Sequence, residues 1–190
     1  ESLKILKETN ALLEGHFILS SGLHSKQYVQ CAKLLSFPKK AEAICSSLCK
    51  KISSTINKID IVLSPAIGGI VVGYEVGRRL GVETIFAERF DKRLILRRGF
   101  KIPENSKVLV VEDVITTGKS ALECSEIIKK NKSEVVGYAC IIDRSNNSVL
   151  IKQKIISQIK FEIETFREKE LPDELKKIMP VKPGSRNLSK

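Results

Sequence analysis

The sequence predicts an α/β fold with a central, mostly parallel sheet that helices flank on both faces. Short apolar runs rich in Val, Ile and Leu, typical of buried strands, alternate along the chain with amphipathic helical patterns. Polar segments that contain glycine or carboxylates follow several of these runs. Because parallel sheets bind ligands at the carboxyl ends of their strands, we expect a site where these segments meet.

Residues 1–36 predict a small N-terminal unit. Leucine spacing predicts a helix over residues 2–14, with Gly15 as its C-terminal cap. Residues 17–35 alternate loosely around Ser-Ser-Gly, which predicts two short strands and a turn. Pro38 then suits the first position of a second helix. The core face of that helix is Ala41, Ile44, Leu48 and Ile52.

Four buried strands are predicted in the middle of the chain. They lie at residues 59–63, 84–88, 107–111 and 134–142. A helix follows the first strand and ends near Leu80 with Gly81 as its cap, and another covers residues 119–131. Residues 89–102 are rich in Arg and Lys and predict a loop or an open hairpin.

The C-terminal part gives weaker signals. Residues 155–166 favour a last strand, and residues 171–179 favour a short helix that starts near Pro172. The tail over about 183–190 is polar and is predicted to be loosely held.

Composition predicts a single globular domain over residues 1–190. No apolar run approaches the length of a membrane span. Five cysteines are scattered without a Cys-x-x-Cys pair, which favours reduced thiols and a cytoplasmic location. The net charge of +11 favours an anionic partner, but many lysines fall on amphipathic helix faces. Charge alone therefore does not predict nucleic-acid binding.

The most specific motif is Lys-Val-Leu-Val-Val-Glu-Asp-Val-Ile-Thr-Thr-Gly-Lys-Ser at residues 107–120. Two adjacent carboxylates, Glu112 and Asp113, stand where the predicted strand ends, and a polar turn precedes the next helix. Carboxylates accept hydrogen bonds from sugar hydroxyls, and amides at a helix N-terminus bind phosphate. The segment therefore predicts a sugar-phosphate site.

Two other interpretations of this motif are weaker. Gly118-Lys119-Ser120 copies the end of a P-loop, but a P-loop needs a glycine five residues earlier, where this chain has Asp113. A plain strand, turn and helix would use Thr117 or Ser120 as a cap. That interpretation does not explain two like charges at the end of a hydrophobic strand.

Residues 107–120 resemble the phosphoribosyl-pyrophosphate signature of the type I phosphoribosyltransferases, in its orotate-specific version. Gly-His-Phe-Ile-Leu-Ser-Ser-Gly-Leu-His-Ser at residues 15–25 is similar to the N-terminal substrate-side motif of that branch. Lys-Pro-Gly-Ser-Arg at residues 182–186 resembles the C-terminal end of its short-chain members. The resemblance runs from about residue 14 to residue 144 with the motifs in order.

This resemblance implies the type I phosphoribosyltransferase fold with a small substrate-side hood over about residues 1–36. It implies a pentosyltransferase of UMP biosynthesis that joins orotate to phosphoribosyl pyrophosphate and releases orotidine 5′-phosphate and pyrophosphate. Mg²⁺ is the implied cofactor, held mainly by the pyrophosphate and ribose rather than by direct protein ligands. A homodimer that shares loop 89–98 between subunits is also implied, with neither nucleic acid nor a membrane as partner.

The resemblance also assigns the phosphoribosyl pyrophosphate contacts. Glu112 and Asp113 would accept the ribose hydroxyls and favour the developing oxocarbenium-like cation. The 5′-phosphate would be wrapped by Val114, Ile115, Thr116, Thr117, Gly118, Lys119 and Ser120. The pyrophosphate would meet Ala66, Ile67 and Gly68, with a non-proline cis peptide at Ala66-Ile67. A Pro-Gly turn explains the composition of that loop equally well.

The orotate contacts implied by the resemblance are Thr116, Arg144, Ser21 and Gly22. A guanidinium such as that of Arg144 pairs bidentately with a carboxylate, which orotate carries. Arg89 and Lys92 are the implied catalytic cations of the mobile loop. The chain departs from the best-known bacterial pattern because Ser20 replaces a lysine and the loop lacks a histidine.

Two alternatives stay open on the sequence. A purine phosphoribosyltransferase would share residues 108–120 but not residues 15–25 or Arg144. A regulator with this fold would bind RNA or DNA through the +11 charge. Loss of the acid pair or of the pyrophosphate loop would favour a regulator, and both are present.

Overall fold

The computed structural model describes residues 2–19, 21–145 and 149–183. The strands are β1 Leu12–Ile18, β2 His24–Val29, β3 Ile61–Pro65, β4 Glu83–Phe90, β5 Arg93–Leu96, β6 Lys107–Ile115, β7 Glu134–Asp143, β8 Ile155–Lys160 and β9 Thr165–Phe166. The helices are α1 Ser2–Glu8, α2 Cys31–Leu35, α3 Pro38–Ser53, α4 Gly68–Leu80, α5 Lys119–Lys130 and α6 Asp173–Lys176. No helix in these ranges is long and apolar enough to cross a membrane.

The main sheet has six strands in the order β5-β4-β3-β6-β7-β8, and β5 is its antiparallel strand. The crossovers β3-α4-β4 and β6-α5-β7 leave the central β3–β6 pair in opposite directions. Right-handed crossovers then place α4 and α5 on opposite faces. The two hydrophobic clusters of the core agree, since one contains the buried face of α4 and the other that of α5. The predicted sheet with helices on both faces is therefore confirmed.

A second, antiparallel sheet of three strands, β1-β2-β9, forms a hood. Its third strand comes from the C-terminal half of the chain, and Val181 also forms a bridge with Phe17 of β1. The hood therefore extends beyond the predicted residues 1–36. His16 and His24 lie buried within it, with His16 Nε2 2.7 Å from His24 Nδ1, and we assign them a structural role.

Several predicted boundaries were wrong. The first helix ends at Glu8 because the Thr9 hydroxyl bonds to the Ile5 carbonyl at 2.8 Å and Asn10 adopts a φ of 51°. Gly15 consequently lies in β1 and does not cap a helix. The predicted strand over residues 155–166 divides into β8 and β9, which belong to different sheets. The last helix is shorter than predicted, whereas the Gly81 cap is confirmed by its φ of 72°.

Helix α4 lies unusually close to the sheet along a row of glycines. A Cβ at Gly73 would overlap the Ser64 hydroxyl of β3, and one at Gly77 would overlap the Thr84 hydroxyl of β4. Both hydroxyls are buried without a hydrogen-bond partner in the described structure. Their packing against glycine sets the height of α4 above the strands, and so the position of the loop that precedes it.

We predict that Gly73→Ala lowers the free energy of unfolding by about 1–3 kcal/mol, as overpacking does in well-packed cores. Urea denaturation measures the change. The matched variant Ser64→Ala removes a buried hydroxyl without a partner and should be neutral or mildly stabilising alone. Combined with Gly73→Ala, it should recover part of the loss. A Gly73→Ala protein as stable as the parent would contradict the packing argument.

Candidate active site

Two loops leave the central strand pair at the same edge of the main sheet, which is the topological switch point. The loop after β3 contains the cis peptide Ala66-Ile67, as predicted, and α4 begins directly after it at Gly68. The loop after β6 covers residues 116–118 and leads into α5. Ligands of parallel sheets bind in such a crevice, so the two predicted phosphate loops face one place.

The N-terminus of α5 is open to an anion. Gly118 adopts a φ of 77° at the N-cap position, and no side chain caps the helix there. A Cβ at Gly118 would lie 2.7 Å from Ile151 Cδ1, so the site requires glycine. The first turn of α5 carries no acidic side chain, while Thr116 and Thr117 are exposed beside it. The Lys119 N–H donates only a long bond of 3.4 Å to the Thr117 hydroxyl, so the amides of the first turn and the helix dipole favour negative charge at this end.

The two adjacent carboxylates lie within β6, which continues to Ile115 and is four residues longer than predicted. Side chains alternate across a strand, so Glu112 and Asp113 start on opposite faces. Asp113 lies against the start of α4: a Cβ at Gly68 would be 2.9 Å from both of its carboxylate oxygens. Glu112 starts on the other face; burial raises the pKa of Cys124 of α5, and the Glu112 charge raises it further.

Burial raises the pKa of Asp113, and the backbone N–H groups of Val114 and Asp113 oppose this shift. The ionised carboxylate is therefore poorly solvated before a ligand arrives. Hydroxyl groups that donate hydrogen bonds to it would replace the water it has lost.

Arg144 follows β7 beside these carboxylates. Its backbone N–H donates to the Ile115 carbonyl at 2.8 Å, and Asp143 Oδ1 accepts from Ser145 N at 2.8 Å. These bonds fix the backbone, while the half-buried side chain keeps an Nε that has no partner among the described residues. Burial lowers the pKa of Arg144. Together with Ser145, Glu162, Ile163 and Glu164, none of them a predicted site residue, Arg144 lines a cavity of about 430 Å³.

The structure adds Tyr28 and Cys31 to the predicted residues. Burial raises the pKa of Tyr28, and the charge of Arg144 lowers it while that of Asp113 raises it. The Cys31 thiol lies 3.9 Å from the Asp113 carbonyl oxygen. No motif marked these residues, because only the pairing of β2 and the start of α2 direct them toward β6.

The predicted loop 89–98 is a folded hairpin. Its turn residues Asp91 and Lys92 both have positive φ, 45° and 64°, as in a type I′ turn. Arg89 forms an ion pair with Glu123 of α5 at 3.0 Å, and Arg98 pairs with Glu88 at 2.8 Å. Lys92 lies exposed at the tip.

The predicted site residues of the hood lie on the surface of the described structure. Ser21 and Gly22 lie exposed in the turn between β1 and β2, where the Leu19 N–H donates to the Leu23 carbonyl at 2.8 Å. Ser20 and residues 184–186 of the C-terminal motif lie outside the described residues. The structure therefore brings Asp113 against Gly68 and places Arg144 at the end of the neighbouring strand, bonded through its backbone to Ile115.

Residues 37–170 match the phosphoribosyl transferase domain. The chain therefore belongs to the phosphoribosyltransferase family.

Curated relatives narrow this class. An orotate phosphoribosyltransferase of Caldicellulosiruptor bescii is 50% identical over 184 residues, covering 97% of this chain and 96% of that protein. One of Methylorubrum extorquens is 47% identical over 191 residues, covering 100% and 97%. The crystal structure of orotate phosphoribosyltransferase from Aeropyrum pernix has a TM-score of 0.71 at 24% identity, covering 84% of this chain and 93% of that one. Within the family, the chain belongs with the orotate phosphoribosyltransferases.

We predict that Asp113→Asn lowers turnover about a hundredfold, equivalent to about 3 kcal/mol, without lowering stability at pH 7. With a raised pKa, the stability contributed by the protonated carboxyl is complete below the unfolded-state pKa and is lost as pH rises through the folded-state pKa. The variant should therefore melt at or above the parent temperature at pH 7, and this advantage should vanish on acidification.

Asp60→Asn is the matched control. The pKa of Asp60 is lowered, chiefly by the Lys107 backbone N–H at 2.8 Å, so its ionised form stabilises the fold above the unfolded-state pKa. This variant should lose stability at pH 7 and keep activity. An Asp113→Asn protein with parental turnover would remove Asp113 from the active site.

Proposed function

We propose that this chain catalyses the Mg²⁺-dependent transfer of ribose 5-phosphate from phosphoribosyl pyrophosphate to orotate, giving orotidine 5′-phosphate and pyrophosphate. The observation that supports this most is the convergence of the Asp113 carboxylate, the glycine start of α4 and the open N-terminus of α5 at one switch point. These three features suit a phosphorylated sugar that carries a pyrophosphate group. The 50% identity to an orotate phosphoribosyltransferase indicates that the base is orotate.

In this proposal each loop binds one part of the donor. The amides and hydroxyls of residues 116–120 bind the 5′-phosphate at the start of α5. Ala66, Ile67 and Gly68 bind the pyrophosphate by their backbone, because the glycine lets the chain approach closely. The ribose lies between the two loops. Glu112 and Asp113 accept hydrogen bonds from the ribose hydroxyls and stabilise the positive charge that develops at C1.

Arg144 would orient orotate through its carboxylate. The Arg144 Nε has no partner among the described residues, and the side chain is half-buried. Both features suit a guanidinium that binds an anionic ligand. Tyr28, on strand β2 of the hood, would cover the bound orotate ring. Holding the base nitrogen near C1 converts a bimolecular attack into a positioned one.

The cofactor assignment rests on donor chemistry. Carboxylate oxygens are the hard donors that Mg²⁺ prefers, and Mg²⁺ usually combines one or two of them with phosphates and water. No cluster of three His, Cys, Asp or Glu suited to a metal occurs in residues 2–19, 21–145 and 149–183. Mg²⁺ would be held mainly by oxygens of the pyrophosphate and ribose, as the resemblance implies. When bound, Mg²⁺ neutralises charge on the departing pyrophosphate.

A base panel tests the proposal. Purified protein with Mg²⁺ and phosphoribosyl pyrophosphate should consume orotate, and hypoxanthine, guanine and adenine should remain unchanged. Ultraviolet absorbance follows orotate directly. Preference for a purine would overturn the orotate assignment and leave only the phosphoribosyl-transfer chemistry.

We predict that Arg144→Ala weakens orotate binding about tenfold to a hundredfold, since one charge-assisted hydrogen bond contributes roughly 1.5–3 kcal/mol. Affinity for phosphoribosyl pyrophosphate should not change. Calorimetry with each substrate separates the two effects. Arg79→Ala, which removes an exposed arginine at the end of α4, should change neither affinity. Unchanged orotate affinity in the Arg144 variant would place the base elsewhere.

We infer a homodimer in which the 89–98 hairpin completes the partner's site. Supporting this, the outer face of α4 presents Ile67, Val71 and Tyr74 with 83%, 50% and 64% exposure. Spacing of three to four residues makes these side chains one apolar stripe beside the pyrophosphate loop. An isologous contact through such a stripe would give two equivalent composite sites.

Complementation tests the shared hairpin. An inactive Asp113→Asn protein is mixed with an inactive Arg89→Ala/Lys92→Ala protein under subunit exchange. Each heterodimer should regain one intact site, so activity should return to at most about half of the parental value per mixed dimer. If a mixture that contains heterodimers has no activity, the hairpin acts in its own subunit or not at all.

We place the protein in the cytoplasm. All five cysteines are free and buried, and burial raises the pKa of Cys45 to about 12 and of Cys49 to about 11. Such thiols are inert packing groups, which suits a reducing compartment.

A further inference from the structure

One carboxylate, that of Glu123, binds both strands of the β4–β5 hairpin at the same position. Its Oε2 lies 3.0 Å from Arg89 Nη1 of β4 and accepts the Leu94 backbone N–H of β5 at 3.1 Å. Arg89 and Leu94 are register partners in the hairpin. The Glu123 side chain is only 19% exposed, so this contact is better shielded from water than an ordinary surface pair.

The contact also fixes the Arg89 guanidinium. Nη1 donates to the Lys92 carbonyl at 2.7 Å as well as to Glu123, and Nη2 donates to Glu123 Oε1 at 3.3 Å. Arg89 is thereby held by the hairpin turn and by α5 together. An arginine with fixed rotamers loses less conformational entropy when it meets an anion, so it binds with a smaller penalty.

Glu123 connects the hairpin to the phosphate-binding end of α5. It lies four residues, about one turn, after Lys119, where the helix begins. Arg89 and Glu123 are joined by an ion pair of 3.0 Å, so the hairpin is held against α5 near the N-terminal end of that helix.

We propose that Glu123 is a positioning residue for the transfer reaction: it holds the hairpin against α5 and directs Arg89 toward the anionic leaving group in the partner's site. This inference rests on the proposed function, in particular on the role of Arg89 there. Glu123 itself touches no substrate.

Two substitutions separate the parts of this role. Glu123→Gln keeps an amide oxygen that can accept the Leu94 N–H but removes the charge that pairs with Arg89. Glu123→Ala removes both contacts. Glu126→Gln, at an exposed position on the same helix, is the matched control.

The experiment measures kcat and KM for both substrates, thermal unfolding, and affinity for Mg²⁺-pyrophosphate by calorimetry. Glu123→Gln should lower kcat/KM for phosphoribosyl pyrophosphate tenfold to a hundredfold, the size expected for a misplaced catalytic group. Pyrophosphate affinity should fall, while KM for orotate and the melting temperature stay unchanged. Glu126→Gln should match the parent. In an Arg89→Ala background, Glu123→Gln should add less than about a twofold further loss, because it acts through Arg89.

Three results would overturn the inference: full activity and pyrophosphate affinity in Glu123→Gln, an undiminished further loss in the Arg89→Ala background, or losses that only follow a lower melting temperature. The proposed function fails separately, in the parent protein, if orotate is not consumed. Calorimetry with Mg²⁺-pyrophosphate still tests Glu123 in that case, since it requires no base.

Discussion

The contact between the Asp113 carboxylate and the backbone of Gly68 is the constraint on which the site depends. It requires α4 to start directly against the end of β6, although α4 belongs to the neighbouring β3 crossover. Helix α4 can lie that close only because glycines face the hydroxyls of Ser64 and Thr84. The glycine row is thus part of the site geometry: it brings the loop after β3 within reach of the Asp113 carboxylate.

Desolvation governs the charges of this site. Burial raises the pKa of Asp113 and lowers the pKa of Arg144, so it disfavours the ionised form of both. Neither residue is stabilised by an ion pair of the described structure, in contrast to Arg89 and Arg98. A ligand that brings hydroxyls to one and a carboxylate to the other would offset both penalties at once. Such a site gains selectivity, because a ligand that lacks either group leaves a buried charge unpaired.

The fold was predictable where the pattern is local. The parallel strands, α5 and the Gly81 cap follow from apolar runs and glycine positions, and the cis peptide at Ala66-Ile67 followed from resemblance. The predicted boundaries were wrong where strand pairing, rather than the local sequence, determines the structure. β6 continues through Glu112 and Asp113 because β7 pairs with it as far as Ile115, which no apolar pattern shows. Tyr28 was missed because its position depends on β2, whose partners β1 and β9 come from distant parts of the chain, a pairing without a local signal.

The hairpin shows how the same basic residues acquire different roles. As a sequence, residues 89–98 carry five cations and predict an open, repelling segment. In the folded chain, Glu123 and Glu88 neutralise Arg89 and Arg98, and the type I′ turn closes the strands between them. The remaining cations are exposed: Lys92 and Arg93 lie at the tip, and Arg97 follows the end of β5. A rigid base with paired arginines and a charged tip can meet a polyanion without first having to order the whole segment, which lowers the entropic penalty of closing over it.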